Sequence, residues 1–273
     1  MQENPYSKIF TETATHALLP QEKILPLADP TRCALFIQMR FNGVVLSSGT
    51  AFVMQAPSGQ LVLITNRHNV TGRRQDTGEC LSTTTAAVPN EVLIQHHHEE
   101  MIGKWLMKVE TLYENNIPRW IEHPTLGEKA DFVALPLRNL ADTTTFSWSV
   151  EPVKYEQAIA PAETVSVVGF PFGLAYEGFY PIWATGFVAS EPRLDYGGLP
   201  VFLIDSRTRQ GQSGSPVVKH SNGGTILLRN GASVVGAGQT TTWLGIYSGR
   251  IHGESDIGMV WKKEAILELV NTL

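Results

Sequence analysis

The chain has 273 residues, 42% of them hydrophobic, and a formal net charge of −5. The acidic surplus argues against general nucleic-acid binding, which shows as a basic excess. The longest apolar runs are strand-sized, which argues against a membrane-spanning helix. Between those runs, turn signals recur at short spacing, as in Asn42-Gly43, Pro57-Ser58-Gly59, Gly197-Gly198 and Asn222-Gly223-Gly224, and that pattern predicts an all-β chain.

In chain order, residues 1–30 read as a polar lead-in that packs its Leu18-Leu19-Pro20 and Leu25-Pro26-Leu27 segments across the body. The start, Met1-Gln2-Glu3-Asn4-Pro5, precedes no hydrophobic signal core, so nothing marks export and a cytoplasmic location is expected. The two cysteines, Cys33 and Cys80, suit a reduced thiol pair, with a single bridge left open. Gly49-Thr50-Ala51-Phe52-Val53 and Leu61-Val62-Leu63-Ile64 are expected to pair as a hairpin through Pro57-Ser58-Gly59.

The second of those strands exits into Thr65-Asn66-Arg67-His68. A solvent-facing or capping role is the ordinary one for any of the eight histidines, but His68, held at a strand's exit, is rigid and faces a cleft, as a general base must. Asn69-Val70-Thr71 matches a glycosylation sequon; a glycan there would block that cleft, and the match is read as chance. His96-His97-His98 follows an apolar run, yet neighbouring strand residues point to opposite faces and cannot converge on one ion, so no metal is expected.

Asp131 directly precedes Phe132-Val133-Ala134-Leu135-Pro136-Leu137. A carboxylate at the mouth of a buried strand is costly unless paired, and an imidazole N–H is a suitable partner. Glu128 and Asp142 are rivals, but polar loop sequence surrounds them. Further on, Gly211-Gln212-Ser213-Gly214-Ser215-Pro216 sets a serine in a glycine-flanked turn before the apolar Val217-Val218. Such a turn presents a nucleophile and frees the amides of Gly211 and Ser213 to serve as an oxyanion hole, although Gly/Ser turns ahead of strands are also common as plain turns. Lys219 to Trp243 reads as a solvated hairpin. Ala265, Ile266, Leu269 and Val270 recur at helical spacing near the C-terminus.

The order His68, Asp131, Ser213 resembles that of the trypsin-like (chymotrypsin-fold) serine peptidases, particularly bacterial and Deg-like members. Ile64-Thr65-Asn66-Arg67-His68, Trp120-Ile121-Glu122-His123-Pro124, Asp131-Phe132-Val133-Ala134-Leu135, Val167-Val168-Gly169-Phe170-Pro171 and Leu244-Gly245-Ile246-Tyr247-Ser248-Gly249 are similar to segments of that family. The resemblance covers about residues 32 to 269 and implies two packed six-stranded antiparallel β-barrels with a C-terminal helix. The expected divisions are a first barrel over 31–137, a connector over 138–161, a second barrel over 162–260 and the helix segment over 261–273, with no PDZ-like domain.

Further implications are a serine endopeptidase acting on protein or peptide substrates without a cofactor, with His68, Asp131 and Ser213 as the triad. A catalytically weak peptide-binding relative and an esterase with the same triad are the alternatives. Arg207, Thr208, Tyr247, Ser248 and Gly249 are implied to bind substrate, Arg207 as a pocket floor that takes an acidic side chain, or else turned outward or paired with Asp205 or Glu177. Gln212 stands where digestive members carry the aspartate that pairs with a freed amino terminus. The resemblance therefore implies an enzyme active without that switch. Ser215 replaces the usual second glycine.

Overall fold

Two antiparallel β-structures pack face to face in the computed structural model, which describes residues 27–81, 86–101, 103–151, 156–174, 179–236 and 238–273. Most of the expected lead-in, including Leu18-Leu19-Pro20, lies outside them, as does Glu177. In the first structure, strands run side by side in the order Trp105–Thr111, Glu91–His98, Ala34–Phe41, Val44–Gln55, Leu61–Thr65 and Val133–Pro136. Among the described residues no ladder joins the two end strands. The hairpin predicted through Pro57-Ser58-Gly59 forms, with Phe52 opposite Ile64 and Val53 opposite Leu63. Alternation sends Leu35, Ile37, Ala51, Val53, Leu63, Val92, Ile94, Val133 and Leu135 into one core.

The second structure is a closed six-stranded barrel: Thr164–Gly169, Ile182–Val188, Val201–Asp205, Ile257–Lys262, Thr240–Arg250 and Pro216–Ser221. Closure leaves the barrel itself no free edge. Lys219–Trp243 holds the expected hairpin, where Gly224–Leu227 pairs with Ser233–Gly236. Part of the expected connector joins the first sheet instead, because Ser147 and Trp148 pair in parallel with Val53 and Met54.

A third core lies between the halves. Phe52, Met54, Val62, Ile64 and Phe132 of the first meet Val168, Val218, Trp243, Ile246 and Trp261 of the second, with ring pairs Phe52–Trp243 and Phe132–Trp261 at 5.6 and 5.4 Å. Such edge-on pairs add about 1 kcal/mol each beyond buried area. The C-terminal helix spans Lys263–Val270 and buries Ala265, Ile266, Leu269 and Val270, the face read from the sequence. It begins two residues later than 261, since Trp261 and Lys262 complete the strand Ile257–Lys262. Cys33 and Cys80 are free thiols; burial pushes the Cys33 thiol up to about 12, which makes it inert. Among the described residues no helix is long and apolar enough to cross a membrane.

Candidate active site

Strand register brings His68 and Asp131 together. Thr65 lies opposite Val133 in neighbouring antiparallel strands, so the chain leaving one strand passes the chain entering the other. His68 sits three residues beyond Thr65, on the short helix Arg67–Thr71. Asp131 sits two residues before Val133 and is 2% exposed. His68 Nδ1–H donates to Asp131 Oδ2 at 2.7 Å, and the backbone N–H of His68 donates to Oδ1 at 3.0 Å. Ser248 Oγ also donates to Oδ2. Three donors offset a desolvation that would cost several kcal/mol for an unpaired carboxylate. Asn66 Nδ2 donates to the Asp131 carbonyl at 2.6 Å and fixes its backbone. The rival Glu128 is exposed and faces Arg67 at 3.3 Å, and Asp142 is exposed.

The serine turn is built on the second barrel and seated on the first half. Gly211 has φ +94° and Gly214 φ +91°, and a Cβ would stand 2.4 Å from the Phe170 carbonyl oxygen or 1.9 Å from the Thr50 carbonyl oxygen. No other residue tolerates both the conformation and the contact. Thr50 N–H donates to the Ser213 carbonyl at 2.9 Å and Thr50 Oγ1 to the Gly211 carbonyl at 2.9 Å. Asn69 Nδ2 adds a bond to the Ser213 carbonyl at 3.3 Å. Gln212, fully buried, accepts the Arg209 N–H on Oε1 at 2.7 Å. Among the described residues, the N–H groups of Gly211 and Ser213 have no acceptor.

Ser213 Oγ donates to the Ser248 carbonyl at 3.5 Å, its one hydrogen bond among the described residues. Ser213 and His68 line one cleft of about 420 Å³ with Leu46, Ser48, Asn69 and Gly211. The residues implied for substrate binding are not among those that line that cleft. Thr208 and Tyr247 are buried and joined by a hydrogen bond between their hydroxyls. Ser248 is turned to Asp131, and Gly249 is half-buried. Arg207 is exposed, and among the described residues the ion pair in this segment belongs to Arg209, with Asp256, and not to Arg207.

Thr50, Asn66 and Asn69 escaped the sequence reading. Thr65 and Asn69 stand four apart at the entry to a helix, and Asn69 Nδ2 donates to Thr65 Oγ1 at 3.0 Å, but that spacing alone carries no signal of a role.

The sequence profile of the trypsin-like peptidase domain matches residues 42–226, well over half of the chain. The chain belongs to this family. Among solved structures, a thermostable serine protease, AL20, from an extremophilic microorganism is 11% identical with a TM-score of 0.50, covering 90% of this chain and 98% of its own. A serine endoprotease from Yersinia pestis is 11% identical with a TM-score of 0.49, covering 89% of this chain, which spans 64% of that protein's length. The active form of the Rv3671c protease from M. tuberculosis is 17% identical with a TM-score of 0.45, covering 88% of this chain and 80% of its own. At such identities the AL20 likeness is one of fold. A search of curated proteins finds no match. As a trypsin-like peptidase, the chain carries its fold's two halves on either side of the Ser213 cleft.

Proposed function

We propose that the protein is a serine endopeptidase that cleaves peptide bonds in protein substrates through an acyl-enzyme, with Ser213 as nucleophile, His68 as general base and then acid, and Asp131 as the group that orients His68. The observation that carries this reading is the buried Asp131 carboxylate bonded at 2.7 Å to His68 Nδ1 in the wall of the cleft that holds Ser213.

In this arrangement Nδ1 is occupied as a donor, which leaves Nε2 as the acceptor for a proton. Rotation about the Ser213 Cα–Cβ bond releases its hydroxyl from the Ser248 carbonyl toward the imidazole, an adjustment common when an empty site takes up substrate. As Oγ attacks the carbonyl carbon, its proton passes to Nε2 and the carbonyl π electrons move to oxygen. The free amides of Gly211 and Ser213 receive that oxyanion. Collapse expels the amine, which takes the proton from Nε2. Water then repeats the sequence on the acyl-enzyme and restores Ser213.

A fluorophosphonate probe tests the reading, because only an activated serine is labelled. The wild type labels at Ser213 and releases fluorescent fragments from casein, while the Ser213→Ala protein does neither. Absence of labelling in the wild type would leave a peptide-binding relative, and labelling with ester but no peptide turnover would leave an esterase.

A further inference from the structure

The side chain on the acyl side of the cut needs a place to go. His68 delivers a proton to the departing amine, so the leaving segment lies on the His68 side, in the cleft lined by Leu46, Leu81, Ala87 and Pro89. The acyl residue therefore turns toward the second barrel, between the chain before Ser213 and the strand that ends at Ser248 to Arg250. Tyr247 lies on that strand, and its ring runs through the edge of the second barrel's core to Thr208 in the chain before Ser213.

Tyr247 is tied to the nucleophile turn through its backbone, accepting the Gly214 N–H at 2.9 Å and donating to the Ser215 carbonyl at 2.9 Å. Its hydroxyl bonds to Thr208 Oγ1, so the side chain spans from one wall to the other. On the far side of the ring stands Gly258, where a Cβ would fall 2.5 Å from Tyr247 Cε2. The wall residues of an open pocket touch water, yet Thr208 is 0% and Tyr247 3% exposed. Burial also pushes the Tyr247 phenol up to about 12. Arg207, next to Thr208, faces solvent.

We infer that Tyr247, latched to Thr208, fills the acyl-side pocket and restricts the enzyme to substrates with an alanine-sized residue before the cut. This inference rests on the endopeptidase reading above.

The test is a series of fluorogenic peptides that differ only in the residue before the cut: Ala, Val, Phe, Lys and Glu. The wild type is expected to favour Ala over Phe and over Lys by about 100-fold or more in kcat/KM, the range that steric exclusion from a pocket supplies. Tyr247→Ala removes the ring and is expected to raise Phe relative to Ala by about 10-fold or more, while Tyr247→Phe keeps the preference for Ala. Wild-type turnover of Phe, Lys or Glu peptides equal to that of Ala would overturn the inference, whether or not Tyr247→Ala folds. Fluorophosphonate labelling of the same samples separates the two readings. A labelled enzyme with a large-residue preference sinks the Tyr247 assignment alone, and an unlabelled one takes down the endopeptidase reading and this inference together.

Discussion

Ser248 Oγ and Asp131 Oδ2 are hydrogen-bonded across the interface between the two halves, on the same carboxylate oxygen that accepts His68 Nδ1–H. Asp131 stands at the mouth of a first-half strand and Ser248 near the end of a second-barrel strand. The carboxylate is thus fully satisfied only when the halves are docked. Loosening of that interface should cost activity before it unfolds either half.

Removal of the Ser248 hydroxyl tests this coupling. In Ser248→Ala a buried carboxylate loses one charge-assisted bond, worth about 1.5–3 kcal/mol. Peptide turnover should fall about tenfold or more with the midpoint of thermal unfolding lowered, whereas Ser248→Thr, which keeps the hydroxyl, should recover most of both. Unchanged kcat and melting in Ser248→Ala would show that the bond does nothing for Asp131.

Asp131→Asn keeps shape but offers His68 an amide, which favours the wrong tautomer. Turnover near neutrality should drop by about 10⁴-fold and return in part at high pH. A mutant that stays fully active at pH 7 would move the orienting role elsewhere, with Glu128 the next residue to substitute.

Gln212 organises the serine turn by accepting the Arg209 N–H at 2.7 Å. A neutral amide does this without a freed amino terminus, so mass spectrometry of active protein should show its N-terminal segment intact. Gln212→Ala should lower kcat about 10²-fold with KM little changed, the size of effect seen when an oxyanion donor is lost. Activity that appears only after cleavage of the lead-in would refute the proposal.

His96 gives a stability prediction. It is 1% exposed, neither ring nitrogen has a partner among the described residues, and burial pushes it from its ordinary 6.5 down to about 4. The nearby Glu110 charge opposes that shift, and His97 and Lys108 add to it. The unfolded chain takes up the proton first, so the stability is intact above pH 6.5 and is lost as pH falls toward 4, by on the order of 3 kcal/mol. Melting temperatures of wild type should therefore decline over that window more steeply than those of His96→Leu. Parallel curves for the two proteins would exclude His96 as the source.

The paired strands and the C-terminal helix face were legible because each is a local pattern, alternation or helical spacing. The candidates His68, Asp131 and Ser213 were picked out in the same way, from a histidine at a strand's exit, a carboxylate before an apolar run and a serine between glycines. The all-β class was equally plain, since turn residues recur between short apolar runs throughout. What meets across the halves depends on packing between segments far apart in the chain. Ser248, read as a substrate-binding residue, bonds Asp131 117 positions away in sequence, and Thr50 and Asn69 hold the backbone of Ser213 from the opposite half. Tyr247's reach to Thr208 likewise depends on how the strand Thr240–Arg250 lies against Ile257–Lys262. Beyond Tyr247 a bulge before Gly249 shifts the pairing by one residue, which redirects Gly249 and Arg250.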